Sequence, residues 1–305
     1  MPLFDTHIVV DWSARSQPSP AKPTRDAIWW AVARDGVLAR PVYVRTRHAA
    51  ITRLAKLIAT ERAARRRVLV GFDFPFGYPA GVARHLTGRA CAFALWDWLA
   101  SRIEDDENNA NNRYAVAAEI NRRYPGVGPC WGRPATWPYP DVSTHAHART
   151  HGTRPPERRI ADEHAKGAKT VWQLAYTGSV GSQVLLGIPA LERLRRTPSI
   201  AGSVAVWPFD GGLAVPDRPV VLAELYPSLL RDAVARHARK SEIHDRAQVR
   251  VNASAFASLD AVGGLAQVFE GSPALTVQQR RLIETEEAWV LGVGHEAALH
   301  EAARD

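Results

Sequence analysis

The sequence predicts an α/β fold in which a mixed sheet is flanked by helices and interrupted by a long, mainly helical stretch. Three observations carry this reading. Three strand-like runs follow one another at short spacing near the N-terminus. The apolar period then changes to a helical one before another strand-like run. A further run of the same kind lies far downstream. With 305 residues, 46% hydrophobic and 23% charged, the chain can bury a core without disulfides, and disordered or collagen-like architectures are excluded.

The first run, His7-Ile8-Val9-Val10-Asp11, is apolar and closes on a carboxylate; a loop containing Pro18, Pro20 and Pro23 follows. Residues 27–33 read as a second strand, Asp35-Gly36 as a turn and 37–45 as a third strand, together an antiparallel meander. Over 48–66 the spacing of Ile51, Leu54, Leu57 and Ile58, with Arg53, Lys56 and Arg62 opposite, predicts a helix. The next run, Val68-Leu69-Val70-Gly71-Phe72-Asp73, again closes on a carboxylate. A crossover helix between them makes it parallel to the first strand.

Residues 78–205 differ in kind. Helical segments at 90–103, 113–123, 157–166 and 187–196 alternate with loops rich in Pro, Gly and Trp, around an irregular centre at 124–156. The reading is a first part of the core over 1–77, a mainly helical insertion over 78–205 and the remainder of the core over 206–305. That remainder holds a late strand, Pro219-Val220-Val221-Leu222-Ala223-Glu224-Leu225-Tyr226-Pro227, and helices over 242–259, 260–269 and 276–305.

Cys91 and Cys130 are the only cysteines, too few for a disulfide framework or a four-cysteine zinc site. The N-terminus lacks the basic and apolar regions of a signal peptide, and no window approaches the length of a membrane span, so a cytoplasmic protein with no membrane partner is expected. Lys plus Arg number 39 against 31 Asp plus Glu, a formal +8 that favours a polyanionic partner, either nucleic acid or a phosphorylated small molecule. Much of the excess lies in the runs around Arg65 and Arg195, which read equally well as solvated helix ends.

Asp11, Asp73 and Glu224 each stand within or at the end of an apolar run. An isolated ionised carboxylate in such a place needs a cation or hydrogen-bond donors. Hard oxygen ligands on neighbouring strand ends suit Mg2+ or Mn2+. Ordinary strand capping accounts for the two aspartates as well, but Glu is a poor turn residue and Glu224 is flanked by Leu222, Ala223, Leu225 and Tyr226.

Several short motifs, spread over most of the chain, resemble the RNase H-like superfamily. The closer resemblance is to the predicted RNase H-like nucleases grouped as domain of unknown function 429. The matching pieces are Val9-Val10-Asp11-Trp12-Ser13, Gly71-Phe72-Asp73-Phe74-Pro75-Phe76-Gly77, Ala223-Glu224-Leu225-Tyr226-Pro227, Leu259-Asp260-Ala261 and Glu286-Glu287-Ala288-Trp289-Val290-Leu291-Gly292. The resemblance implies a five-stranded mixed sheet and a divalent-metal site held by Asp11, Asp73, Glu224 and a helix-borne acid. Asp260 is the favoured fourth acid, with Asp245 in Ile243-His244-Asp245 as the alternative.

Further candidates surround this set. Ser13 follows the first acid. Arg158 and Arg159, with Arg149 and Arg154 upstream, suit a phosphate clamp or a salt-bridged helix start. Asn112 and Arg113 suit a substrate contact or a helix cap. The glycine loop 178–183 precedes an apolar helix, but it is neither a P-loop nor a dinucleotide fingerprint. His145, His147 and His151 read as a basic loop or a weak metal motif, and Trp131 and Trp137 as stacking candidates. The function expected is a divalent-metal-dependent hydrolase, nuclease-like, acting on a phosphodiester or other phosphorylated substrate. The alternatives are a phosphotransferase of actin-like fold, against which the lack of a second phosphate hairpin counts, and a non-catalytic nucleotide- or nucleic-acid-binding protein.

Overall fold

The computed structural model describes residues 1–146 and 155–304. Its centre is a mixed sheet that has seven strands among the described residues: β1 (Thr6–Asp11), β2 (Ile28–Arg34), β3 (Val37–Leu38), β4 (Val42–Val44), β5 (Val68–Phe72), β6 (Val204–Val206) and β7 (Val220–Glu224). The order is β3-β2-β1-β5-β7-β6, with β4 also paired to β2. β1, β2 and β3 form the antiparallel meander, and β5 lies parallel to β1 and to β7.

The sheet therefore exceeds the five strands that the resemblance implies. Where the sequence predicts one strand over 37–45, Pro41 lacks a ladder donor and the run divides into β3 and β4. The three-residue β6, parallel to β7, carries too little pattern to be read from sequence.

Helix α1 (Arg47–Ala63) makes the crossover from β4 to β5. Its N-cap Thr46 accepts a bond from Ala49 N, and its face of Ala50, Ile51, Leu54 and Ile58 is buried on the sheet. Between β5 and β6 the described chain adds no strand to the sheet. It carries α2 (Val82–Thr87), α3 (Ala92–Ala100), α4 (Arg113–Arg122), α5 (Ile160–His164) and α6 (Gly181–Arg195). Helix α6 starts earlier than its sequence pattern suggests, directly on the glycine loop. Its Leu185, Ile188 and Leu191 join α1, α3 and α4 in one core layer with Ile8, Val10 and Phe72.

The opposite face is covered by α7 (Arg231–His237), α8 (His244–Ala261), α9 (Leu265–Val268) and the C-terminal α11 (Glu296–Ala302), packed on Val9, Leu69 and Val221. Burial on both faces explains why β1, β5 and β7 read as unbroken apolar runs rather than alternating ones. The single helix predicted over 276–305 is instead α10 (Val277–Leu282), a π-helical turn at Ile283–Glu287, an extended segment and α11. That segment reaches β7, where Leu291 N donates to Glu224 O, 2.9 Å. Gly77 lies against the π turn: a Cβ there would meet Glu286 O at 2.4 Å, so the chain after β5 closes onto it only as glycine.

Among the described residues, no helix is long and apolar enough to cross a membrane.

Candidate active site

Parallel strands β1 and β5 end together, and the residue that follows each paired position is an aspartate. Asp11 closes β1, and Asp73 follows Phe72, with Asp73 N bonded to Val10 O. Strand alternation sends both side chains to the α8 side of the sheet, because Val10 and Phe72 pack in the opposite layer. The two buried carboxyl groups lie close enough to influence each other's ionisation, and Asp73 accepts from Trp12 N at 2.7 Å. The first turn of α8 brings Asp245 near them, where it accepts from Asp26 N at 2.6 Å.

The electrostatics follow from this crowding. Burial, then the charges of Asp73 and Asp245, hold Asp11 well above the usual carboxylate range. Burial pushes Asp73 up to about 7, against the opposing bond from Trp12 N–H. Burial likewise raises Asp245, partly offset by the Asp26 N–H. Three acids that resist ionisation together in one cleft need a shared proton or a cation.

The structure separates the other two predicted acids from this group. Asp260 stands at the far end of α8, fifteen residues and about 22 Å along the helix from Asp245. Its oxygens accept from Leu3 N at 2.7 Å and Phe4 N at 2.8 Å, and one lies 3.0 Å from His7 Nε2. It therefore anchors the N-terminus. Asp245, the alternative, is the acid that α8 supplies to the cleft.

Glu224 lies between Ala223 and Leu225, which pack on the α8 side, so its own side chain turns the other way. There Arg159 grips it with two bonds, 2.7 and 2.8 Å, and Phe76 N donates at 2.9 Å. Arg159 is buried too, and it also binds Asp162 and the carbonyl of Glu287. Burial alone would lower its pKa, but Asp162 and Glu224 outweigh that and raise it. Glu287 closes the brace by accepting from Ala80 N and Ile160 N. Arg159 is thus a structural cation that neutralises Glu224: of the two roles the sequence leaves open, it takes the salt-bridged helix start.

Of the remaining candidates, Ser13 borders the cleft and donates to Asp26 O at 2.8 Å. Arg113 borders it as well. Asn112 does not reach it: its side chain bonds Glu104 N and Arg102 O, bracing the entry to α4. Arg158 is exposed and borders neither cavity described below. Trp131 packs against the core beside β-bridges to Ser143 and Gln173. Trp137 is 38% exposed. His145 lies next to Thr144 Oγ1, while His147, Arg149, His151 and Arg154 lie outside the described residues.

Two cavities meet at the acid pair. One, of about 570 Å3, is bordered by Asp11, Asp245, Arg15, Arg113 and Trp137. The other, of about 330 Å3, is bordered by Asp73, Glu224, Lys169, Tyr226 and Arg231. Ser179, Gln183 and Gln248 border both. Gln183 Nε2 donates to Trp12 O at 2.8 Å, so the glycine loop is tied directly to the first acid's strand end.

Sequence reasoning missed Gln248, although it lies three residues after Asp245 on the same helical face. It also missed Arg47. Fully buried, Arg47 holds the carbonyls of Ser13 and Arg15 while pairing with Asp105, and so it positions the loop after β1.

Among the described residues, no group of three or more His, Cys, Asp and Glu side chains is disposed to hold a metal ion. The donor set on offer is the Asp11–Asp73 pair with Asp245 nearby. Two carboxylates, with water and substrate oxygens completing the shell, are what a loosely held Mg2+ accepts. The pair fits such an ion, and a closed four-carboxylate cage is not what the geometry provides.

Compared with known proteins, the chain matches no family model, no curated sequence and no solved structure.

Proposed function

We propose that the protein is a hydrolase of phosphorylated substrates, with Asp11 and Asp73 as the acids that would hold a divalent cation, Mg2+ or Mn2+, and Asp245 beside them. The observation that carries this reading is the side-by-side burial of Asp11 and Asp73 at the ends of two parallel strands, both held above the usual carboxylate range. The RNase H-like resemblance draws support from the antiparallel β1-β2-β3 meander joined to the parallel β1-β5-β7 ladder. Its nuclease activity and its four-acid ligand set belong to that resemblance and are not needed for the hydrolase reading.

When bound, a divalent cation would lower the pKa of a water and neutralise charge building on a phosphoryl group. The chain's own contributions are separate. Asp11 and Asp73 supply anionic oxygens, and the Trp12 N–H fixes the direction of Asp73. Asp245 is oriented by the Asp26 N–H. Gln183 and Gln248 face the junction of the cavities and offer neutral donors to a substrate oxygen.

Calorimetric titration with Mn2+, on wild type and on the Asp11→Asn, Asp73→Asn double variant, tests the site before any substrate is known. Saturable binding lost in the variant is expected, followed by Mn2+-dependent hydrolysis of a chromogenic phosphodiester. No binding and no hydrolysis in wild type would overturn the reading.

The closeness of the two buried carboxyl groups favours one second reading, a pair that shares a proton and works as general acid and base without metal. Hydrolysis that persists in EDTA and disappears in either Asn variant distinguishes it.

A further inference from the structure

Arg113, the first residue of α4, is only 9% exposed, yet among the described residues no carboxylate pairs with it. Its guanidinium is held by neutral groups. Nε donates to Ser182 Oγ at 3.0 Å, and one terminal nitrogen donates to Ser16 Oγ at 2.9 Å and Asn111 Oδ1 at 2.7 Å. Asp105 lies near enough to favour its charge, but Asp105 is already bound to Arg47 at 2.5 Å. Burial, with the nearby charge of Arg47, lowers the pKa of Arg113 against the opposing effects of Tyr114 and Asp105.

The position makes the charge costlier still. Arg113 stands at the N-terminus of α4 and bonds to the second residue of α6, so the positive ends of both helices face it. Neither N-cap side chain closes its helix. A buried guanidinium without a carboxylate partner is unfavourable, and among the described residues it is offset only by three neutral acceptors, the Tyr114 ring 5.0 Å from its Cζ and the more distant Asp105. Arg113 borders the larger cavity, which holds Asp11 and Asp245 as well. Beside it Tyr114 is buried, and Trp137 packs edge-on to Tyr114 at 4.7 Å while remaining partly exposed on the same cavity.

We propose that Arg113 forms an oxyanion subsite for the phosphate of a ligand whose planar ring lies against Trp137. A guanidinium offers a fork that matches phosphate, and an exposed indole face suits a flat heterocycle. The proposal goes beyond the hydrolase reading and does not depend on it, because binding here needs no cation and breaks no bond.

The test is calorimetry on the full chain in EDTA, titrating adenosine monophosphate, ribose 5-phosphate, adenosine, inorganic phosphate and acetate. Adenosine monophosphate is expected to bind more tightly than ribose 5-phosphate or adenosine, and phosphate more tightly than acetate. Arg113→Met should weaken each phosphate-bearing probe about tenfold or more, because the fork that would receive the phosphate is gone. Trp137→Ala, a change at the rim, should reduce adenosine monophosphate to the level of ribose 5-phosphate.

The proposal is overturned if Arg113→Met binds phosphate as wild type does. It is equally overturned if wild type binds none of the phosphate probes and Arg113→Met melts lower, which would make the guanidinium a brace between Ser16 and Ser182. Should Arg113→Met not fold, Arg113→Lys keeps the charge and loses the fork. A loss of about tenfold is then expected, and unchanged affinity overturns the proposal.

Discussion

Asp73 combines incompatible surroundings: burial and the charge of Asp245 disfavour its ionisation, and the backbone N–H of Trp12 favours it. Burial dominates, so its pKa in the folded chain lies near 7, above its value of about 3.9 in an unfolded one. The folded state then holds a proton that the unfolded state has lost, and stability falls as pH rises between those values. Melting in EDTA should therefore show a decline from pH 5 to 7.5 that is smaller in Asp73→Asn, where the raised Asp11 and Asp245 still contribute. Mn2+ should raise the melting temperature more at pH 7.5 than at pH 5.5, because the cation must displace fewer protons there. A flat profile in wild type would remove the support for a strained acid pair. Burial raises Glu224 as well, but there Arg159 opposes it with a direct ion pair that Asp73 lacks among the described residues. Glu224→Gln should cost about 3 kcal/mol of folding stability in denaturant titrations and leave Mn2+ affinity unchanged, because it breaks a buried pair away from the acid cluster.

At the scale of elements, the cleft is a matter of where strands and one helix begin and end. β1 and β5 pair in register as far as Val10 and Phe72, and the next residue on each turns its carboxyl to the α8 side. Helix α8 carries an acid at each end, so its direction decides which one joins them. Its N-terminal turn faces the strands' carboxyl ends, and Asp245 rather than Asp260 is brought in. Asp245→Asn should weaken Mn2+ binding about tenfold in calorimetry with a small change in melting temperature. Asp260→Asn should leave that binding intact and destabilise the chain by about 2 kcal/mol, since Leu3 N and Phe4 N lose a charged acceptor. The reverse pattern would return the fourth position to Asp260.

On the scale of the whole molecule, the chain between β5 and β6 contributes as much to the cleft as the sheet does. α4 and α6 bring Arg113, Ser182 and Gln183 to the side facing the acids. The Arg159 brace ties α5 to Phe76, Glu224 and the π turn, which holds the smaller cavity's wall in place. The molecule thus sets an acidic end and a cationic end across one opening, an arrangement suited to a ligand that carries its own phosphate.

Much of this was legible from residues alone. The parallel placement of β1 and β5 follows from two apolar runs separated by one helix length, and their terminal aspartates mark the cleft because ionised groups seldom end buried strands without a purpose. Composition and period could not rank Asp245 against Asp260, since either suits a helix and the choice depends on which end of α8 meets the sheet. Nor could they find a partner for Glu224, because Arg159 lies 65 residues earlier, in a segment whose docking no local pattern encodes. For Arg113 the sequence leaves a substrate contact and a helix cap open, and what packing adds is that no carboxylate among the described residues pairs with it. Local sequence determined β1, β2, β5 and β7, the crossover helix and the two aspartates at the ends of the β1 and β5 runs. Tertiary structure decided which charges are paired and which are left facing the cleft, because pairing depends on distances between segments that are far apart in the chain.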